Sequence, residues 1–388
     1  MKNILIISFS PLHRDPRVLR QIQALKQDYK ITTIGYTPVE DDSVVYYPAK
    51  MPAKKSFSQK IYLLAFMVLY SFSNYAKKRW KLMMLCGFEN ILSQNIEKPD
   101  VIIANDWNGL YFASALKSKY DWLVKIYFDA HEYSPKDQNS FKSRLFIVNT
   151  LKKCKNDIDI MTAVCDGIAR KYEKFFGFKN GFVRIVTNAS EFNASLTPGD
   201  AKAGVIKLIH HGGAIRKRKL ELMIEMMRYL DPHKYELTFM LVKTDPQYYE
   251  YLEKISKGYK NIKIIEPVNF HEITNTLNDY DIGVYILLPE IFNHKYALPN
   301  KLFEFVQARL AIAIGPSIEM AKVVNQYGLG VCADNFSPKS LANSIAQMTP
   351  CEIFDCKKNS DKHAKELSAE ANIIKIRDIV AELARESA

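Results

Sequence analysis

The chain has 388 residues, too many for one ordinary domain and well suited to two. Hydrophobic residues make up 48% and charged residues 25%, the profile of a folded globular protein, which excludes a disordered one. The formal net charge of +12 calls for an anionic partner: phosphates on a small donor, a membrane surface, or nucleic acid.

Strand and helix signals alternate from the start. Residues 2–8 form a continuous apolar strand that ends near Pro11, a buried strand and not a signal peptide. A helix follows over 15–27, with Val18, Leu19, Ile22 and Leu25 on one face, then a strand over 30–36. Strands at 99–104, 123–128 and 158–163 alternate with helices at 110–116 and 141–154. Residues 188–204 hold Pro198 and two glycines without clear periodicity, and read as a linker. The pattern then restarts, with strands at 205–211, 235–242, 262–265, 282–287 and 310–314. Helices are expected at 218–229, 246–257, 270–277, 299–308, 318–327 and 338–348, and one long terminal helix at 361–385. Short apolar strands separated by amphipathic helices imply parallel sheets covered on both faces. The expected fold is α/β, two doubly wound Rossmann-like units facing a central cleft at the carboxyl ends of the strands. The first is set at 1–190 and the second at 191–364, with the terminal helix, about 365–388, packing back on the first. The cysteines, Cys86, Cys154, Cys165, Cys332, Cys351 and Cys356, lack zinc-ligand spacing and read as reduced thiols of a cytosolic protein.

Three clusters carry chemistry. In 298–305, Pro299 opens a helix and leaves the amides of Asn300, Lys301 and Leu302 to face an anion. Lys301 adds charge, and Glu304, one turn inside, is placed to accept hydrogen bonds from a sugar diol. An ordinary helix start with a solvated Lys and Glu is the alternative. The second cluster is His210-His211-Gly212-Gly213-Ala214 at a strand end, followed by Arg216, Lys217, Arg218 and Lys219. The Gly pair lets backbone approach a ligand, and Arg218 or a neighbour grips a diphosphate; a turn with a solvated basic face is the alternative. The two histidines lack a third ligand nearby, so no metal is expected. The third cluster, Asp129-Ala130-His131-Glu132, follows a strand, as do Asp106-Trp107 and His13-Arg14-Asp15-Pro16-Arg17. His131 there is either a proton handler or a satisfied capping histidine, and Asp15-Pro16 is a good helix start.

Taken together, Asp15-Pro16-Arg17-Val18, Asp129-Ala130-His131-Glu132, Val186-Thr187-Asn188, Gly212 through Arg218 and Pro299-Asn300-Lys301-Leu302-Phe303-Glu304 resemble family 4 of the retaining GT-B glycosyltransferases, of the kind that build bacterial polysaccharides. The resemblance implies a GT-B fold, no metal or other cofactor, and a nucleotide-sugar donor held by the second domain. It implies that Gly212, Gly213 and Arg218 meet the diphosphate and that Asn300, Lys301 and amides near Leu302 bind phosphate. Glu304 would hold the ribose, the segment at Val268 the base, and His131 the transferring sugar. Arg14, Asp106, Asp129 and Glu132 fall on the acceptor side. The sequence departs from the family where Tyr296 replaces the first of two glutamates, with Glu290, Asn293 and His294 nearby, and where Arg309-Leu310-Ala311 replaces Gly-Leu-Pro.

The expected reaction moves a hexose-type sugar from a UDP-sugar, or less readily a GDP-sugar, to a saccharide or lipid-linked acceptor. A nucleotide-sugar epimerase is the alternative within the fold. A nucleic-acid-binding protein is disfavoured, since no recognisable module accompanies the charge. Residues 43–88 contain no acidic residue; an apolar run at 61–72 is flanked by Lys50, Lys54, Lys55 and Lys60 and by Lys77, Lys78, Arg79 and Lys81. That run is too short to span a bilayer and suits an interfacial helix, which would hold the protein on the inner face of the plasma membrane. A buried helix with solvated lysines is the alternative.

Overall fold

The computed structural model describes residues 1–50, 91, 94–136, 141–199 and 204–386. The expected interfacial helix and its basic flank, Lys77, Lys78, Arg79 and Lys81, lie outside the described residues. The chain divides into two compact units: Met1–Val186 with Asn372–Ala388, and Thr187–Ala371.

The first unit is built on seven parallel strands, β1 (Asn3–Ile7), β2 (Lys30–Gly35), β3 (Val45–Pro48), β4 (Val101–Asn105), β5 (Lys125–Asp129), β6 (Ile160–Ala163) and β7 (Val183–Ile185), in the order β3-β2-β1-β4-β5-β6-β7. Every residue of β1 and β4 is buried, as expected of strands covered on both faces. The helix Pro16–Leu25 starts where Asp15 caps it, its carboxylate accepting from the Arg17 and Val18 amides. The C-terminal helix Ala369–Glu386 closes the core, with Ile376, Ile379, Val380 and Leu383 against Ile4, Ile6 and Ile103.

The second unit has six parallel strands, β8 (Ile206–Gly213), β9 (Tyr235–Val242), β10 (Ile262–Ile265), β11 (Ile282–Tyr285), β12 (Ala311–Ile314) and β13 (Gly330–Cys332), in the order β10-β9-β8-β11-β12-β13. The helix Asn300–Gln307 joins β11 to β12 and is pressed onto the sheet by Phe305, fully buried. Gly283 on β11 makes room for it: a Cβ there would stand 2.4 Å from the Phe305 ring. Burying that ring contributes about 2–3 kcal/mol.

The terminal helix expected at 361–385 starts later, at Ala369, and residues 361–363 close a separate helix, Pro350–His363, that was not expected. Pro350–His363 belongs to the second unit and Ala369–Glu386 runs from that unit into the first. The break at 364–368 is fixed by contacts distant in sequence: Gln307 Nε2 donates to Ala364 O and Leu367 O, and the Ala369 amide to Ser190 O. The expected helix at 218–229 is likewise reduced to Glu221–Met226 between two 3-10 turns.

Candidate active site

Each sheet reverses its winding once, at β1/β4 in the first unit and β8/β11 in the second. A doubly wound sheet opens a crevice at that switch, beyond the carboxyl ends of the strands. Both switches carry charged residues.

In the second unit, β8 ends on His210, His211, Gly212 and Gly213. His210 Nδ1–H donates to Val284 O on β11 at 2.9 Å, which leaves Nε2 as an acceptor facing Lys301 Nζ at 3.1 Å. The Lys301 ammonium also donates to His211 O at 2.7 Å and lies 4.2 Å from the Tyr285 ring centroid. Lys301 is buried, so desolvation first and the Arg218 charge second hold its pKa well below the ordinary lysine value. Burial, with Lys301 beside them, likewise keeps His210 and His211 neutral. Gly212 has φ +120°, a backbone that favours glycine, and a Cβ there would stand 3.5 Å from Lys301 Nζ. A side chain there would lie in contact with the ammonium.

Glu304 completes the cluster. Its Oε2 lies 3.3 Å from His211 Nε2, a buried atom with no hydrogen-bond partner among the described residues. The approach is close but not aligned for a hydrogen bond. Desolvation pushes the Glu304 carboxyl up to about 7, opposed by Lys301. Glu304 also lines a pocket of about 380 Å³, whose other walls are residues 190–195, Phe270, His271, Ile273 and Thr274.

Of the expected donor residues, Gly212, Gly213, Lys301 and Glu304 meet at this switch point. The charge of Arg218 is felt at His210, Tyr285, His294 and Lys301. The Leu302 amide is not free, since it donates to Pro299 O at 3.1 Å; of the three expected anion-facing amides, those of Asn300 and Lys301 remain. Val268 is half-buried on the strand-to-helix loop, but Phe270 and His271 form the pocket wall there. Near the missing first glutamate, Glu290 is paired with Lys219 at 2.5 Å and Asn293 is buried.

In the first unit, Asp106 and His131 follow β4 and β5 with φ of +59° and +50°, positions where a side chain strains the backbone. Arg17 stands between two carboxylates, 4.0 Å from Asp106 and 3.7 Å from Asp129. Asp129 is 3% exposed and accepts from Gln21 at 3.0 Å and Thr162 at 2.9 Å, so it holds this network together and is not open to an acceptor, contrary to expectation. Gln21 in turn bonds Asn105. The Asp106 carboxyl is pushed up to about 7 by desolvation, against the pull of Arg17 and with the charges of Asp129, Asp15 and Glu132 adding to it. Its side chain keeps 46% of its surface in solvent, which screens part of that push. Arg14, in the turn after β1, and Glu132, after β5, are exposed.

Sequence reasoning passed over His211 as a ligand-facing group, and also Tyr285, Phe270, Gln21 and Asn105. The double histidine at a strand end was the available signal; Tyr285 and Asn105 lie on strands, Gln21 on the helix Pro16–Leu25 and Phe270 on a 3-10 turn, and only folding brings them to the sites. Among the described residues, no three His, Cys, Asp or Glu side chains cluster as metal ligands would, and no helix is long and apolar enough to cross a membrane.

No family model matches the chain, and no curated protein matches it in sequence. Solved structures do match in fold. A sucrose-phosphate synthase from Thermosynechococcus elongatus superposes with a TM-score of 0.71 at 13% identity, over 99% of each chain. HepE of Anabaena in complex with UDP-glucose gives 0.69 at 12%, over 98% of this chain and 100% of that one. An α,α-trehalose-phosphate synthase (UDP-forming) from Burkholderia vietnamiensis gives 0.68 at 12%, over 100% of both. The chain therefore has the GT-B fold, two Rossmann-like α/β units built on parallel sheets.

Proposed function

We propose that the protein is a retaining glycosyltransferase that moves a hexose-type sugar from a nucleotide-sugar donor, a UDP-sugar in preference to a GDP-sugar, to a saccharide or lipid-linked glycan acceptor. The observation that carries this reading is the buried Glu304 carboxylate, set on a pocket beside Lys301 at the β8/β11 switch. A carboxylate suits a ribose diol, and a cation next to it suits a diphosphate. Four of the similar structures hold UDP, UDP-glucose or UDP-2-fluoro glucose, which favours uridine as the base.

In this reading the nucleoside enters the pocket between residues 190–195 and Phe270, with its ribose on Glu304. The diphosphate lies over Gly212 and Gly213, within reach of Arg218, the Asn300 and Lys301 amides and, across Gly212, the Lys301 ammonium. These groups are fixed before the bond breaks, so they stabilise the leaving diphosphate without reorganising. Departure and attack on one face of the sugar retain configuration and require no enzymic nucleophile. The first unit supplies His131 for the transferring sugar and Asp106, Arg14 and Glu132 for the acceptor. The acidic-free stretch 43–88 would bring the protein to an anionic membrane face where a lipid-linked acceptor of surface polysaccharide synthesis is found.

A thermal-shift screen of nucleotides and nucleotide sugars tests the donor half. A ligand at a hundred times its Kd adds about 2.7 kcal/mol to stability. UDP and a UDP-sugar should raise the melting temperature and adenine nucleotides should not. No shift with any nucleotide would remove the reading.

A further inference from the structure

We infer that Arg309 is a positioning residue for the donor pocket: its guanidinium fastens segment 190–195 as the wall facing Glu304. This rests on the donor reading of the second unit.

Arg309 follows the helix Asn300–Gln307 that carries Glu304. Its φ is +59°, a backbone that glycine adopts without strain and arginine does not. It is also 1% exposed, an unfavourable place for a permanent charge. Both costs are offset by what the guanidinium joins. Nε donates to Asp361 Oδ1 at 2.6 Å, Nη1 to Gln307 O at 2.5 Å, and Nη2 to Asn193 O at 2.7 Å. Its carbon centre lies 5.6 Å from the Phe192 ring centroid.

Asn193 passes that anchorage to the pocket. Its amide donates to Gln307 Oε1 at 3.3 Å, and its Nδ2 to Thr274 Oγ1 at 3.2 Å and Asn275 Oδ1 at 2.8 Å. Residues 190–195 have no helix or strand to hold them, so side chains fix their path. One planar fork therefore ties this wall, from Asn193, to the end of the Glu304 helix, at Gln307 O, and to the helix Pro350–His363, at Asp361. Lysine has a single donor atom and cannot span three such points.

The test uses Arg309→Gly, which suits the φ and removes the fork, in the full chain. Amide hydrogen exchange at 190–195 and calorimetric titration with UDP are measured on the variant and the wild type. Exchange in that segment should accelerate and the Kd for UDP rise at least tenfold. Millimolar guanidinium ion should restore both, as a general loss of structure would not allow. If Arg309→Gly fails to fold, Asp361→Ala takes its place: that side chain is 44% exposed, and removing its carboxylate frees the Nε arm of the fork. Faster exchange with unchanged UDP affinity, or unchanged exchange, overturns the inference alone. A wild type that binds no UDP overturns the donor reading and this inference with it.

Discussion

Replacing Glu304 by Gln is expected to strengthen the fold while weakening the site. Burial raises the carboxyl from 4.5 in the unfolded chain to about 7 in the folded one. The folded protein therefore holds this proton more tightly than the unfolded chain does. Stability is greatest below the unfolded value and is lost as pH rises through the folded one. At about 1.4 kcal/mol per unit, the ionised form costs the fold about 3 kcal/mol near pH 8, the attraction to Lys301 being already contained in that shift. Gln keeps the shape and loses the charge. Melting temperature near pH 8 should rise by a few degrees in Glu304→Gln, and the gain should shrink as pH falls and vanish below the unfolded value of 4.5. Donor binding moves the other way, because only the carboxylate accepts both hydrogen bonds of a diol. Wild-type affinity for UDP-glucose, whose phosphodiester groups stay ionised throughout, should fall about tenfold from about pH 8 to pH 6. Glu304→Gln should bind about tenfold more weakly near pH 8 and show no pH dependence. Melting curves and titration calorimetry on both proteins across this range decide it. A variant less stable than wild type near pH 8, or wild-type binding that ignores pH, would refute the reasoning.

Arg218→Ala should weaken UDP binding about tenfold or more with folding intact, since a hydrogen bond to a charged group contributes roughly 1.5–3 kcal/mol; titration calorimetry reads it. Gly212→Ala should destabilise by about 1–3 kcal/mol in urea unfolding, because its φ of +120° is a region side chains rarely adopt. Asp129→Ala should cost about 3–5 kcal/mol by the same measurement, as Arg17 and Gln21 lose a buried partner. His131→Ala should cut turnover far more than UDP affinity; an equal loss in both would end its assignment to the transferring sugar.

Much of the fold was legible because both sheets are parallel. Strands such as β1, β4 and β12 are buried on both faces, so they appear as unbroken apolar runs. The edge strands β3, β7 and β13 were missed because they are short and partly exposed, and their residues carry no such run. The terminal helix read as continuous because no Pro or Gly interrupts 361–385; its break is made by Gln307 and Ser190, far off in the chain. The site divides the same way. Glu304, Lys301 and Gly212 were visible as local patterns at a helix start and a strand end. Arg309 was not, because Asp361 and Asn193 lie 52 and 116 residues from it in the chain. His211 was dismissed for want of a third metal ligand, while its neighbour in space is a carboxylate. Asp129 misled because a carboxylate after a strand looks the same in sequence whether it faces a ligand or, as here, braces an arginine.

The most direct test of the account is a crystal structure of the protein grown with UDP-glucose near pH 8. The ribose hydroxyls should lie on the Glu304 carboxylate, the diphosphate over Gly212 and Gly213 within reach of Arg218, and the base between residues 190–195 and Phe270. A nucleotide bound elsewhere, or with Glu304 untouched, would contradict it.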